Sequence, residues 1–176
     1  MAPTIDRLMP FDKRGALRIV VETPRGSCLK LSYEPSLKAF TVSRALPLGV
    51  TYPFDWGFIP GTLADDGDPV DALVLHEGAT YPGVILACKL LGMVHVTQRR
   101  KSGKPGRIEN NRVIALPLWN DRLGQIAETC DLPDQLKREI EQFFLNATYF
   151  TGKEPRIEGW TDAAPAKRFV ERLLSN

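Results

Sequence analysis

Apolar, β-branched runs broken by turn residues occupy the earlier part of the chain. Apolar positions at helical spacing appear only in its last part. Residues 17–22, 40–43 and 72–75 read as strands from their valine, isoleucine and threonine content. Residues 84–96 form a longer strand candidate with a bend at Gly92, and residues 112–116 a fifth. Turn signals at Pro24/Gly26, Pro47/Gly49, Asp66/Gly67 and Pro82/Gly83 separate them. Leu136, Ile140, Phe143 and Phe144 then share one helical face, with Asp131 and Pro133 marking the start. Ala166, Phe169, Val170, Leu173 and Leu174 share another, after Asp162 and Pro165. Strands first and helices last predict an α+β fold built on a closed antiparallel sheet.

Composition narrows the class. The chain has 176 residues, which fits a single domain over 1–176 with one sizeable core. A net charge of only +2 does not suggest a globally basic nucleic-acid binder. Cys28, Cys88 and Cys130 are odd in number, with no Cys-x-x-Cys pair, which argues against a disulfide framework or a zinc site. Residues 1–15 have no apolar signal core, and residues 84–96, broken by Lys89, are too short to span a bilayer. A reducing cytoplasm is the expected compartment.

The chemistry concentrates in Asp66-Gly67-Asp68-Pro69-Val70-Asp71, where three carboxylates fall within six residues at the entrance to an apolar run. Asp, Gly and Pro are common turn formers, so a polar turn is one reading. The other is a site for a hard divalent cation, because clustered carboxylates repel one another unless neutralised. The offsets do not fit an EF-hand loop. His76 and His95 match no nucleophile or metal motif and are expected to be structural. No glycine-rich phosphate loop is present.

This segment resembles the Asp-Gly-Asp-Pro-x-Asp signature of the family I soluble inorganic pyrophosphatases. Glu22-Thr23-Pro24-Arg25-Gly26-Ser27-Cys28-Leu29-Lys30 is similar to the family's Glu-x-Pro-x-Gly-Ser-x-x-Lys. Arg44, the run Tyr52-Pro53-Phe54-Asp55-Trp56-Gly57-Phe58-Ile59-Pro60, Ala115-Leu116-Pro117, Phe143-Phe144 and Glu158-Gly159-Trp160 follow in the family's order. The likeness covers residues 17–174. It implies a five-stranded OB-like barrel with peripheral helices and Mg²⁺-dependent hydrolysis of inorganic diphosphate. It also implies a homo-oligomer. On this resemblance Asp66 and Asp71 ligate metal, and Asp68 is the general base and a further ligand. Glu22 lies at an outer metal position. Lys30 and Arg44 grip phosphate, and the Tyr52 hydroxyl supports the water shell.

The departures also carry information. Leu31-Ser32 stands where the family has Tyr-Glu, and Trp56 replaces a tyrosine. Gln98 and Asn110 fall at two aspartate positions, so Asn110 becomes the metal ligand there; Arg112 falls at the substrate-binding lysine. Ala147-Thr148 stand in place of a Tyr-Lys pair, unless Tyr149 substitutes. Of the family set, four acids (Glu22, Asp66, Asp68, Asp71) face three bases (Lys30, Arg44, Arg112), a net of −1. One unit charge at about 4 Å is worth roughly 4 kcal/mol at an effective dielectric near 20, so a lost carboxylate can empty a weak metal site. Residues 97–112 meanwhile hold six bases (Arg99, Arg100, Lys101, Lys104, Arg107 and Arg112) and one acid, Glu109. Such a segment is either a solvated loop or a set of fixed cations replacing a metal against pyrophosphate or a longer polyphosphate. Three functions therefore stand side by side: an inorganic diphosphatase, a phosphate-binding pseudoenzyme, and an OB-type nucleic-acid module. The last has no aromatic residue between the bases to stack on.

Overall fold

Residues 5, 8–100, 105–120 and 123–174 are described by the computed structural model. Five strands close on themselves through hydrogen bonds: β1 (Leu17–Thr23), β4 (Asp55–Ile59), β5 (Val70–Val74), β8 (Arg112–Pro117) and β6 (Ile85–Arg99), which returns to β1. This is the five-stranded OB-like arrangement that the resemblance implied. A two-stranded hairpin, β2 (Leu29–Glu34) and β3 (Ala39–Ala45), stands outside the ring. β7 (Arg107–Glu109) and β9 (Arg156–Asp162) both pair with β6. The helices are α1 (Asp134–Ala147) and α2 (Ala163–Arg172).

Two expectations need correction. The strand expected at residues 40–43 forms, as β3 in the outer hairpin, and the fifth ring strand is β4, which was not among the expected strands. Asp55-Trp56-Gly57-Phe58-Ile59 carries too few β-branched residues to announce a strand. All five are buried, so their packing on both faces decides the conformation. The ring is also not wholly antiparallel, since β5 and β8 run parallel, with Ala72 opposite Val113.

Side-chain alternation sorts the core. Leu17, Ile19, Val21, Ile59, Val70, Ala72, Val74, Met93, Val113 and Ala115 come from all five ring strands and fill its inside, joined by Ala166 and Val170 of α2. The intervening residues Trp56, Leu73, Val94, Val96 and Ile114 face outward and pack with Ile140, Phe143, Phe144 and Ala147 of α1. α1 buries the face that its periodicity predicted; α2 buries Ala166 and Val170 and half-buries Phe169, but it ends at Arg172, and the exposed Leu174 lies beyond it in a bridge with Thr62.

β6 serves β1, β8, β9 and β7 in succession, which a straight strand could not do. The bend falls at Gly92, where the register against β8 shifts. Its φ is +152°, and a Cβ there would sit 2.1 Å from the Thr161 carbonyl oxygen. Only glycine lets β9 approach this closely.

Candidate active site

The hairpin and the ring meet at the end of β1. Thr23 accepts from the Leu31 amide through Oγ1 at 2.9 Å, and its hydroxyl donates to the Leu31 carbonyl at 3.1 Å. Glu22, 8% exposed, accepts the Tyr33 amide on Oε1 at 2.7 Å. So docked, the hairpin pairs Lys30 directly opposite Arg44, beside a register shift at Lys30/Leu31. Two cations in one cross-strand pair repel each other. An anion between them would relieve that repulsion.

Lys30 lies between two adjoining hollows. On one side Glu22, Ser32, Asp68 and Asp71 line an acidic cavity, with Gly67 and Pro69 bending the β4–β5 loop around it. On the other, Lys30, Arg44, Tyr52, Trp56, Gln98, Arg112 and Lys153 line a cationic cavity floored by Phe143, Phe144 and Ala147 of α1. The sequence motifs thus converge, from separate elements, on one cleft with an acidic and a basic half.

Arg112 joins the halves. Its Nη1 lies 2.8 Å from Asp71 Oδ2 and 2.7 Å from the Asn110 carbonyl oxygen. It also donates to the Asn110 side-chain oxygen. The guanidinium lies 5.3 Å from the centre of the Trp56 ring, a cation–π contact. Trp56 packs in turn on Tyr52, whose ring is 5.0 Å from Phe143. Burial raises the phenol pKa of Tyr52, and the nearby charge of Arg44 opposes that only partly. Tyr52 therefore works as a neutral hydroxyl.

The acidic half is short of positive charge. Burial, reinforced by Asp71 and Asp68 and only partly offset by the Tyr33 amide and Lys30, pushes the Glu22 carboxyl up to about 7. Burial also raises Asp66, whose Oδ1 accepts the Asp68 amide at 3.3 Å; the charges of Asp68 and Asp71 add to this. A divalent cation would relieve this stress, and an all-oxygen donor set suits a hard ion. The residues present therefore fit a metal. Glu22, Asp68 and Asp71 line the cavity, while Asp66 lies on the same loop and is not among its lining residues; the compact donor triad among the described residues lies elsewhere, at Glu128, Cys130 and Asp162. There Asp162 Oδ1 accepts from the Thr129 hydroxyl and the Cys130 amide, tying the turn at residues 129–131 to the end of β9.

The Glu22 shift has a measurable consequence. Its folded value of about 7 exceeds its ordinary 4.5, so the folded state binds the proton more tightly. The stability this gives is full below about 4.5 and is lost as pH rises through about 7. At about 1.4 kcal/mol per unit, the metal-free protein should lose roughly 3 kcal/mol across this window, beyond what Glu22→Gln loses. Urea unfolding in chelator at pH 5 and pH 8 measures the difference. Equal slopes for the two proteins refute it.

Several predicted roles change in the structure. Asn110 does not turn its side-chain oxygen to the acidic cavity; Arg112 takes that oxygen, so Asn110 orients a cation. Arg99 pairs with Glu154 at 2.9 Å, both side chains more than half exposed, and neither Arg99 nor Arg100 lines the cationic cavity. Arg107 is spent on the Thr97 hydroxyl and the Thr97 and Glu154 carbonyl oxygens. Of the segment's bases, Arg112 alone among the described residues reaches the cleft. Lys101 and Lys104 lie outside the described residues. Tyr149 does not substitute for the missing Tyr-Lys pair: it is 74% exposed and packs on Phe150.

Sequence reasoning missed Lys153 as a member of the cationic wall. It follows the left-handed Gly152 in the loop between α1 and β9, and its carbonyl accepts the Arg99 amide at 2.8 Å. No motif flags it. The histidines are structural as expected. His76 Nε2 is 3.0 Å from Asp55 Oδ2, both buried, and His95 contacts the Thr161 hydroxyl. Burial would raise the Asp55 pKa, but contacts with His76, Thr80 and the Arg25 amide more than offset it and hold it below the usual carboxylate range.

A sheet ring with a bipartite cleft, carboxylates on one side and cations on the other, defines a protein that handles phosphoanhydride-type ligands. The family model described as inorganic pyrophosphatase matches residues 19–176, and the chain belongs to that family. It is 37% identical over 164 residues to the inorganic pyrophosphatase of Thermus thermophilus, covering 90% of this chain and 89% of that one. It is 30% identical over 172 residues to that of Synechocystis, covering 98% of each. The crystal structure of the Thermus thermophilus inorganic pyrophosphatase superposes with a TM-score of 0.88 at 33% identity, over 97% of both chains. That from Neisseria gonorrhoeae gives 0.83 at 28%, over 94% of both. No helix among the described residues is long and apolar enough to cross a membrane.

Proposed function

We propose that this protein hydrolyses inorganic diphosphate to two phosphates, in the cytoplasm and as a homo-oligomer of single-domain chains. The observation that carries the reading is the convergence of Glu22, Asp68 and Asp71 with Lys30, Arg44 and Arg112 on one cleft. Membership of the inorganic pyrophosphatase family supports it.

Asp66, Asp68, Asp71 and Glu22 would hold Mg²⁺. Bound there, it supplies charge against the diphosphate and acidifies the attacking water. Asp68, exposed on the β4–β5 loop, takes the water's proton. The new P–O bond forms as the bridging P–O bond breaks, and the bridging electron pair leaves on the second phosphate. Lys30 and Arg44 grip the phosphates from opposite strands, and Arg112 stabilises charge that builds on the leaving group. Tyr52 donates its hydroxyl from a fixed, buried position.

Phosphate release by purified protein with diphosphate and Mg²⁺ is the test. Turnover abolished by chelator supports the reading. Absence of turnover in a folded protein that still binds diphosphate overturns it in favour of a binding protein.

A further inference from the structure

The cationic half of the cleft contains no carboxylate among its described lining residues. It contains instead two buried N–H donors with no acceptor, Gln98 Nε2 and Trp56 Nε1, on side chains 2% and 5% exposed. A buried donor without an acceptor is costly, and its cost is recovered when an oxygen takes the bond. Four cations surround the pair: Lys30, Arg44, Arg112 and Lys153. Such a wall repels a metal ion and attracts an anion with several acceptor oxygens.

We propose that Gln98 and Trp56 each donate to an oxygen of a phosphate group held directly in this half, with no cation between. The proposal rests on the diphosphatase reading for the identity of the ligand, and it adds two specificity-determining residues to that site. Gln98 sits on β6 opposite Ile108, and Trp56 on β4 opposite Leu73, so strand pairing holds the backbone of both residues in place before the ligand arrives. The ring of Trp56 is clamped between Arg112 and Phe144, which leaves the indole N–H little freedom to turn away.

The experiment is titration with inorganic phosphate and with methylene diphosphonate in chelator, by calorimetry and by following the indole N–H resonances. The chain has three tryptophans, so Trp56→Phe assigns the relevant signal while keeping an aromatic ring under Arg112. The expected result is binding without metal, with a downfield shift of the Trp56 signal. Trp56→Phe and Gln98→Met should each weaken binding about 10-fold, as loss of one hydrogen bond to an anion does. Gln98→Glu should weaken it at least 100-fold in chelator and recover in part when Mg²⁺ is added. The shift is read on the unmodified protein, so the test does not depend on a variant's folding.

No binding in chelator, an unmoved Trp56 signal, or variants that bind like the parent overturns the proposal. Mg²⁺-dependent turnover without metal-free binding sinks this inference and leaves the diphosphatase reading intact. Metal-free binding with the Trp56 shift but no turnover does the reverse.

Discussion

Asp68→Asn should lower diphosphate hydrolysis by at least about 10²-fold, and up to about 10⁴-fold, with almost no change in stability. The range is what a positioned general base contributes. The side chain is exposed on the β4–β5 loop, and the loop is shaped by its backbone: the Ala64 amide bonds the Asp68 carbonyl at 2.8 Å, and the Asp68 amide bonds Asp66 Oδ1. Asparagine keeps these backbone bonds and the turn preference, but it cannot take a proton. Exposed substitutions of this kind usually move stability by less than about 0.5 kcal/mol. Asp65→Asn, a change at the exposed neighbouring residue, should stay within about twofold in rate if only the base matters. Rates from phosphate release, with melting temperatures beside them, settle the matter. An Asp68→Asn enzyme that turns over normally removes Asp68 from the chemistry.

How far the sequence could be read follows from which residues announce themselves locally. The helices were legible because α1 and α2 each bury one stripe, Ile140 with Phe143 and Phe144, and Ala166 with Val170. β1, β5, β6 and β8 were legible from β-branched content. β4 was not, since Trp56-Gly57-Phe58 becomes a strand only through its neighbours: a Cβ on Gly57 would lie 2.0 Å from the Val20 carbonyl oxygen. The parallel β5–β8 pairing is a property of chain path, which no local pattern encodes. The acidic half of the cleft was readable as a motif because its aspartates lie within six residues of one another. The cationic half was harder. Lys30 and Arg44 could be named but not their cross-strand pairing, and Lys153 enters from a loop after α1. The basic segment misled for a physical reason. Arg99 and Arg107 spend their guanidinium groups holding β7 and the loop before β9, a use of charge that composition does not distinguish from ligand binding.

Asp71→Ala should be the most damaging single change in the cleft, because Asp71 serves both halves. Its carboxylate lines the acidic cavity and also pairs with Arg112 at 2.8 Å, with side-chain exposures of 20% and 10%. Removing it leaves, among the described residues, a nearly buried guanidinium held by neutral acceptors, the Asn110 carbonyl and side-chain oxygens and the Asn111 carbonyl, and by the Trp56 face. Breaking such a pair from one side costs about 3 kcal/mol. Hydrolysis should fall at least about 10³-fold, since an anionic ligand and the anchor of a phosphate-facing cation are lost together. The two losses can be separated. Asp71→Ala with Arg112→Met removes the stranded charge, so about half of the lost stability should return, while activity stays at the floor. Mg²⁺ affinity should fall more for Asp71→Ala than for Glu22→Ala. Glu22 already commits an oxygen to the Tyr33 amide and, with its carboxyl near 7, carries only part of its charge at neutral pH. Denaturant unfolding of the three variants, with Mg²⁺ titrations beside it, checks each step. No recovery of stability in the double variant would show that Arg112 is not strained by the loss. A reversed order of Mg²⁺ affinities would move the principal ligand from Asp71 to Glu22.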